Sequence, residues 1–244
     1  MSLSMVRLIG REDVADGTMA FHFEKPDGFL YKAGQFADWT LIDPPETDAE
    51  GNTRGFSLAS APYEKDLRIA TRMRDTAFKR VLHDLPDGTQ LKLDAPYGSF
   101  TLHTNVAIPA VFVTGGIGIT VVRSILLEAT HQAVPRRIVL FYANRQPKDA
   151  AFLAELRQVA AKHPHFTFVP TMTHIDQAHQ EWAGETGHIT KGMLERYLDD
   201  LTVPIYYSTG PASLVAAMRK TLNDAGVGDD NIRTEEFTGY EIAW

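Results

Sequence analysis

The apolar pattern changes character near residue 104, and one kind of layer cannot serve both halves of the chain. Before that point, apolar and polar residues alternate at 18–23, 36–41, 67–73 and 90–93, the period of strands with one buried face. Asp16-Gly17, Pro26-Asp27-Gly28, Pro44-Pro45, Pro86-Asp87-Gly88 and Pro96-Tyr97-Gly98 punctuate them, at the spacing of a small antiparallel barrel or sandwich. One helix is expected at 76–85. After Thr104, continuous apolar runs at 108–113, 138–142, 166–169 and 205–207 alternate with helical stretches at 119–131, 150–162, 191–198 and 212–225. Strand and helix in succession call for a parallel sheet covered on both faces. The reading is therefore two domains: an N-terminal antiparallel β-barrel over 1–104, then an α/β doubly wound parallel-sheet domain over 105–244, with the boundary within 102–107. Met1, Ser2 and Leu3, ahead of Ser4 and Met5, carry no weight in it.

With 244 residues, 44% of them hydrophobic, two cores of about 120 residues each can be filled. The sequence has no Cys, which excludes a disulfide, a Cys-held zinc and a cysteine-ligated iron-sulfur cluster. Redox chemistry would need an organic cofactor. A net charge of −7 argues against nucleic acid. There is no apolar run of membrane-spanning length and no signal-like start, so a cytoplasmic protein without a membrane span is expected. His163, His165, His174 and His179 have no metal-binding helical spacing and are expected at the surface.

The first strand of the second half runs into Thr114-Gly115-Gly116-Ile117-Gly118-Ile119-Thr120 and then a helix. Glycines there let backbone N–H groups approach a pyrophosphate, whose charge the helix N-terminus favours. Tyr142-Ala143-Asn144-Arg145 and Ser208-Thr209-Gly210-Pro211 close two further strands, so three segments converge on the crevice at the strands' carboxyl ends. In the first half, Arg54-Gly55-Phe56-Ser57-Leu58-Ala59-Ser60 presents a guanidinium, a ring and a hydroxyl within four residues. Arg54 and Phe56 should share one face, and Ser57 the other. Thr71-Arg72-Met73-Arg74-Asp75-Thr76-Ala77-Phe78-Lys79-Arg80 crowds polar donors at a helix start, a second seat for phosphate.

In order and approximate spacing, Arg54-Gly55-Phe56-Ser57, the helix start at Thr76, Gly115-Gly116-Ile117-Gly118-Ile119-Thr120, Thr209-Gly210-Pro211 and Glu235-Glu236-Phe237 resemble the ferredoxin-NADP reductase family over nearly the whole chain. The resemblance implies a flavin between a barrel and a nicotinamide-binding domain. It implies that Arg54 pairs with the flavin pyrophosphate, that Phe56 stacks on the ring where a Tyr is more usual, and that Ser57 bonds near the flavin N5. Ile69, Ala70 and Thr71 would hold the flavin edge, and Thr76, Ala77, Phe78 and Lys79 its phosphate, with Lys79 replacing the usual hydroxyl. That change leaves FMN as the alternative to FAD. Thr114, Gly115, Gly116, Gly118, Ile119, Thr120, Asn144, Arg145, Thr209, Gly210 and Pro211 would line the nucleotide site. Val121 stands for the family's Pro, and Thr209 for its Cys, so Thr209 supplies shape and a hydroxyl only. Phe237 would cover the second flavin face, Glu235 would place a carboxylate near the reaction centre, and Tyr240 and Trp244 would extend an aromatic tail.

The resemblance thus implies NAD(P)H-dependent reduction of FAD, with Ser57, Thr209, Glu235 and Phe237 at the reaction centre. Electrons would pass to a separate acceptor: a ferredoxin, a flavodoxin, an oxygenase component or a small molecule. Arg72, Arg74, Lys79 and Arg80 offer a local basic dock for it. Arg145 is the candidate reader of a 2′-phosphate, which leaves NADPH and NADH to be separated. A free-flavin or quinone reductase, or a non-catalytic flavin- or nucleotide-binding redox-sensing subunit, is the alternative.

Overall fold

The computed structural model describes residues 2–177 and 181–237. The first 97 residues supply a six-stranded antiparallel sheet. Its strands are β1 (Ser2–Ala15), β2 (Thr18–Glu24), β3 (Phe36–Leu41), β4 (Thr53–Ser57), β5 (Asp66–Arg72) and β6 (Gln90–Tyr97), in the order β4-β3-β6-β1-β2-β5. Beyond β4 the chain turns onto the opposite edge, where Ala59 and Ser60 donate their N–H groups to the Arg68 carbonyl at 2.7 and 3.3 Å. The sheet is thereby rolled into a barrel-like layer around Phe21, Phe23, Trp39, Ile69 and Leu93, all fully buried. Burial of each such side chain contributes about 1.5–3 kcal/mol. Helix α1 (Ala77–Asp84) caps one end through buried Phe78 and Leu82.

Strand β1 departs from the sequence reading. It runs 14 residues, and Ser2 and Leu3 pair with Ala95 and Asp94 of β6. Residues 8–15 pair with β2 instead, with irregularities at Leu8/Gly10 and Asp13/Ala15. These breaks are why no clean alternation marks it.

The second sheet is parallel throughout, in the order β10-β9-β8-β7-β11-β12. Its strands are β7 (Ala110–Gly115), β8 (Ile138–Asn144), β9 (Phe166–Met172), β10 (Glu185–Thr186), β11 (Ile205–Gly210) and β12 (Ile232–Glu236). Every residue of β7 and β8 is buried, as expected of strands covered on both faces. Helices α2 (Ile119–His131) and α3 (Leu153–Lys162) pack on the face toward the first sheet. Helices α4 (Lys191–Tyr197) and α5 (Ala212–Asp224) cover the other. The chain moves outward from β7 to β10, then returns to lay β11 on the free side of β7, and that reversal opens a crevice at the carboxyl ends of β7 and β11.

Two further differences have local causes. The helix expected from 150 starts at Leu153, because a 3-10 turn (Pro147–Asp149) and a left-handed Phe152 (φ 60°) precede it. β12 reads Ile-Arg-Thr-Glu-Glu, an edge strand with one buried residue, too polar to register as apolar. Between the sheets, residues 98–109 are tied down by the Tyr207 hydroxyl, which lies 2.8 Å from the His103 backbone nitrogen and 2.9 Å from its Nδ1. Burial holds the His103 imidazole below its usual pKa.

Candidate active site

Two clefts open on either side of the glycine turn. At the turn itself, Gly118 and Gly210 lie so close that a Cβ on Gly118 would stand 2.7 Å from Thr114 Oγ1 and 2.8 Å from the Gly210 Cα. Gly210, at φ 130°, would place a Cβ 2.9 Å from the Gly115 carbonyl. Only glycine serves at these two positions. A 3-10 turn (Gly116–Gly118) then leads into α2, and Thr120 closes it by donating its hydroxyl to the Ile117 carbonyl at 3.0 Å.

The first cleft, of about 390 Å³, is walled by Gly115, Gly116, Asn144, Arg145 and Pro211 from the expected set. It also takes in Arg72 and Arg74 from the first sheet and Asp149, Thr173, His174 and His188 from the second. Arg145 is exposed beside the half-buried Asp149, so this wall carries both signs of charge. Asp149 is fixed there because its carboxylate accepts the Gln146 N–H at 3.1 Å. Sequence reasoning placed His174 at the surface and did not connect it, or His188, with this crevice. Both come from connections whose path depends on β10, a strand of two residues with no periodicity to detect. His179 lies outside the described residues.

The second cleft, of about 320 Å³, joins the two sheets: Phe36, Gly55, Phe56, Ser57 and Ala70 on one side, and Ile117, Thr120, Glu235, Glu236 and Phe237 on the other. Its rings and aliphatic groups, with a few polar atoms, suit a flat heteroaromatic ring system. β12 carries Glu235 to it in register with Thr209, and the Phe237 N–H bonds the Gly210 carbonyl at 2.9 Å. Burial alone pushes the Glu235 carboxyl up to about 7. Thr209 itself is fully buried with its hydroxyl unpartnered, and it is on the wall of neither cleft. Ile69 and Thr71 are also fully buried, while Ala70 between them reaches the cleft. Thr114 and Ile119 are buried beneath the turn. Tyr240 and Trp244 lie outside the described residues.

At the start of α1, Arg54, Phe56, Thr76 and Phe78 come together, with one residue the sequence did not bring in. Thr76 caps the helix by accepting the Lys79 N–H at 3.4 Å, and the Arg54 guanidinium lies 5.4 Å from the centre of the Phe78 ring, which also packs against Phe56. Arg54 and Phe56 do share a face. The anion between Arg54 and the helix start, however, is the chain's own Asp48: it accepts from Arg54 Nη2 at 3.0 Å and from the Ala77 N–H at 3.3 Å. Burial opposes its charge, yet the N–H groups of Glu50, Arg54 and Ala77 together hold it below the usual carboxylate range. Glu50 also reaches Arg54 at 3.0 Å, and Glu46 pairs with Arg80 at 2.7 Å. The expected basic dock is accordingly not one patch. Arg80 is engaged by Glu46 and Asp75, Lys79 donates to the Arg72 carbonyl at 2.7 Å, and Arg72 and Arg74 face the first cleft.

Residues 112–220 match the oxidoreductase NAD-binding domain family. The chain is 30% identical over 234 residues to one component of the Na(+)-translocating NADH-quinone reductase of Klebsiella pneumoniae, covering 89% of this chain and 56% of that protein. It is 26% identical over 230 residues to the reductase component of phenol 2-monooxygenase of a Pseudomonas species, covering 92% and 63%. The chain thus spans little more than half the length of these relatives. A ferredoxin NADP+ reductase from Neisseria gonorrhoeae, solved with bound FAD and NADP, superimposes with a TM-score of 0.80 at 18% identity, over 96% of this chain and 98% of that one. A rolled antiparallel sheet followed by a parallel one, with a cleft on each side of the glycine turn between them, gives the chain the two-domain fold of that ferredoxin NADP+ reductase, with an oxidoreductase NAD-binding domain over residues 112–220.

Proposed function

We propose that the chain is an NAD(P)H-dependent flavoprotein reductase that passes electrons to a separate acceptor. One observation carries this reading: the glycine turn walls two clefts of ligand size, the first at Gly115 and Gly116 and the second at Ile117, so a nicotinamide in the first and a flavin in the second would meet at Gly116 and Ile117. The fit favours FAD, because the second cleft suits the ring system and the seat at Arg54 and Thr76 suits a phosphate group; FMN is the alternative. The bound flavin supplies the ability to take a hydride from the nicotinamide and to release electrons one at a time.

The chain's own residues bind and orient. Ser57 offers a hydroxyl on the barrel side of the second cleft, while Phe56 and Phe237 flank it with rings. Glu235, with a pKa near neutrality, can hold or yield a proton in that cleft, and it does not accept the hydride. Gly115, Gly116, Gly118 and the start of α2 receive a pyrophosphate, and Asn144, Arg145 and Pro211 line the rest of the nucleotide. Arg145 is the candidate for an adenosine 2′-phosphate, with Asp149 beside it as a counterweight that favours an unphosphorylated ribose. Thr209, buried and on neither wall, acts only by holding Gly210 and its register partner Glu235 in place.

For the acceptor, a ferredoxin, a flavodoxin or an oxygenase component is proposed first, in line with the monooxygenase reductase relative. A quinone or free flavin comes second, favoured by the quinone reductase relative. Extraction of the chromophore and its chromatography identify the flavin. Steady oxidation of NADPH and NADH with an artificial acceptor tests the activity. A protein that stays colourless after reconstitution, or a yellow one that oxidises neither nucleotide, overturns the reading.

A further inference from the structure

A buried guanidinium fastens the two sheets together away from both clefts. Arg123 lies early in α2 with its side chain 1% exposed. All five of its N–H groups are used. Nε donates to Glu155 Oε2 at 2.7 Å; Nη1 donates to the Ala59 carbonyl at 2.6 Å and Glu64 Oε2 at 2.9 Å; Nη2 donates to Glu64 Oε1 at 3.2 Å and Glu155 Oε1 at 2.6 Å. The Phe152 ring covers it at 5.1 Å. Glu155 belongs to α3, on Arg123's own side, while Ala59 and Glu64 belong to the connection between β4 and β5 of the first sheet.

The next residue repeats the attachment, since Ser124 donates its hydroxyl to the Ser60 carbonyl at 2.6 Å. At the far end of α2, His131 stacks on Tyr63 with centroids 3.9 Å apart and an interplanar angle of 16°. One helix is thus bolted along its length to residues 59–64, which closely follow Phe56 and Ser57. The same helix is entered from Gly118. Two domains joined through an ordinary polar interface are expected to move relative to one another, and transfer between two bound rings tolerates little displacement.

We propose that Arg123 is a positioning residue: with Glu64 as its partner across the boundary, it fixes the separation between the Phe56–Ser57 wall and the Ile117–Thr120 wall, and with it the distance at which a nicotinamide meets a flavin. The ligands named rest on the function proposed above, whereas the lock itself does not.

Glu64→Gln tests the attachment across the boundary, and Glu155→Gln is its control within one domain. Arg123→Lys against Arg123→Met asks whether charge alone suffices. The purified protein is followed first by hydrogen exchange over residues 58–65 and 119–131 and by small-angle scattering, neither of which depends on turnover. Single-turnover flavin reduction, flavin content and nucleotide affinity are then measured separately. In Glu64→Gln, exchange over 58–65 should rise and flavin reduction should slow roughly tenfold or more, with flavin content retained and nucleotide affinity within about twofold of wild type. Glu155→Gln should affect exchange in 119–131 more than in 58–65, and Arg123→Lys should recover part of what Arg123→Met loses. Wild-type exchange over 58–65 in Glu64→Gln overturns the lock. Raised exchange with wild-type flavin reduction overturns the positioning role. If no flavin can be loaded, the functional reading fails, and exchange and scattering still decide the lock.

Discussion

The two anion seats proposed at helix starts are made differently. At α2 the seat is backbone: glycines whose close approach leaves no room for side chains, at the carboxyl end of a central strand buried on both faces. At α1 it is side chains: Arg54, Thr76 and Lys79, with Asp48 already between Arg54 and the helix. A seat built from N–H dipoles stands ready without a counter-ion. A seat built from a full positive charge near the surface attracts a local carboxylate, which an incoming phosphate must displace. The first is therefore sensitive to shape, and the second to charge.

The largest expected effect comes from filling the backbone seat. Gly210→Ala forces a Cβ against the Gly115 carbonyl at an unfavourable φ, costing about 1–3 kcal/mol of stability, and it should weaken nucleotide binding at least tenfold while flavin stays bound. Thermal unfolding and calorimetric titration with NADPH measure the two; unchanged nucleotide affinity would break the comparison. Next, Arg54→Ala removes a charge-assisted contact of about 1.5–3 kcal/mol, a loss of roughly ten- to a hundredfold in flavin affinity. Equilibrium dialysis of flavin reads it, and full retention would reduce Arg54 to an anchor for its own loop.

The opposite sign is expected of Asp48→Asn. It keeps the shape of the loop and removes the competing charge, so flavin should bind more tightly, by roughly three- to tenfold, with the gap to wild type closing as salt rises. Weaker binding at every salt concentration would mean that Asp48 supports the seat rather than contests it.

These contrasts also explain what the sequence disclosed. The glycine turn, the continuous apolar runs of β7 and β8, and α2 over its full length were legible, because backbone-built sites and buried parallel strands leave a local pattern. Arg54, Phe56 and Thr76 were legible as a cluster. Asp48 was not: in Thr-Asp-Ala-Glu-Gly-Asn it reads as a turn residue, and only the path of the loop brings it to Ala77. Arg123 likewise looks like one polar position in an apolar helix, since its partners lie 59 and 32 residues away. β1 escaped because it changes partner midway.

The smallest effect concerns Glu235. Its folded pKa of about 7 stands above the ordinary 4.5, so the folded protein binds this proton more tightly, and wild-type stability should fall as pH rises from 4.5 through 7. Glu235→Gln removes that slope. Relative to wild type, the variant should be more stable at pH 8 than at pH 5 in urea unfolding, and an equal difference at both would place the carboxyl in open solvent. Unlike the contrast between the two seats, this one reports on the cleft between them.

Strand β1 has a practical consequence for any recombinant form. Ser2, Leu3 and Ser4 form the ladder opposite Ala95, Asp94 and Leu93, and Met5 follows at once. A polypeptide initiated at Met5 would lack those three rungs and leave that stretch of β6 with free backbone donors and acceptors on one side, a surface that invites strand pairing between molecules. Preparations mixing chains with and without residues 2–4 would then differ in colloidal behaviour while sharing the same clefts, and intact-mass spectrometry of the monomeric and aggregated fractions would sort them.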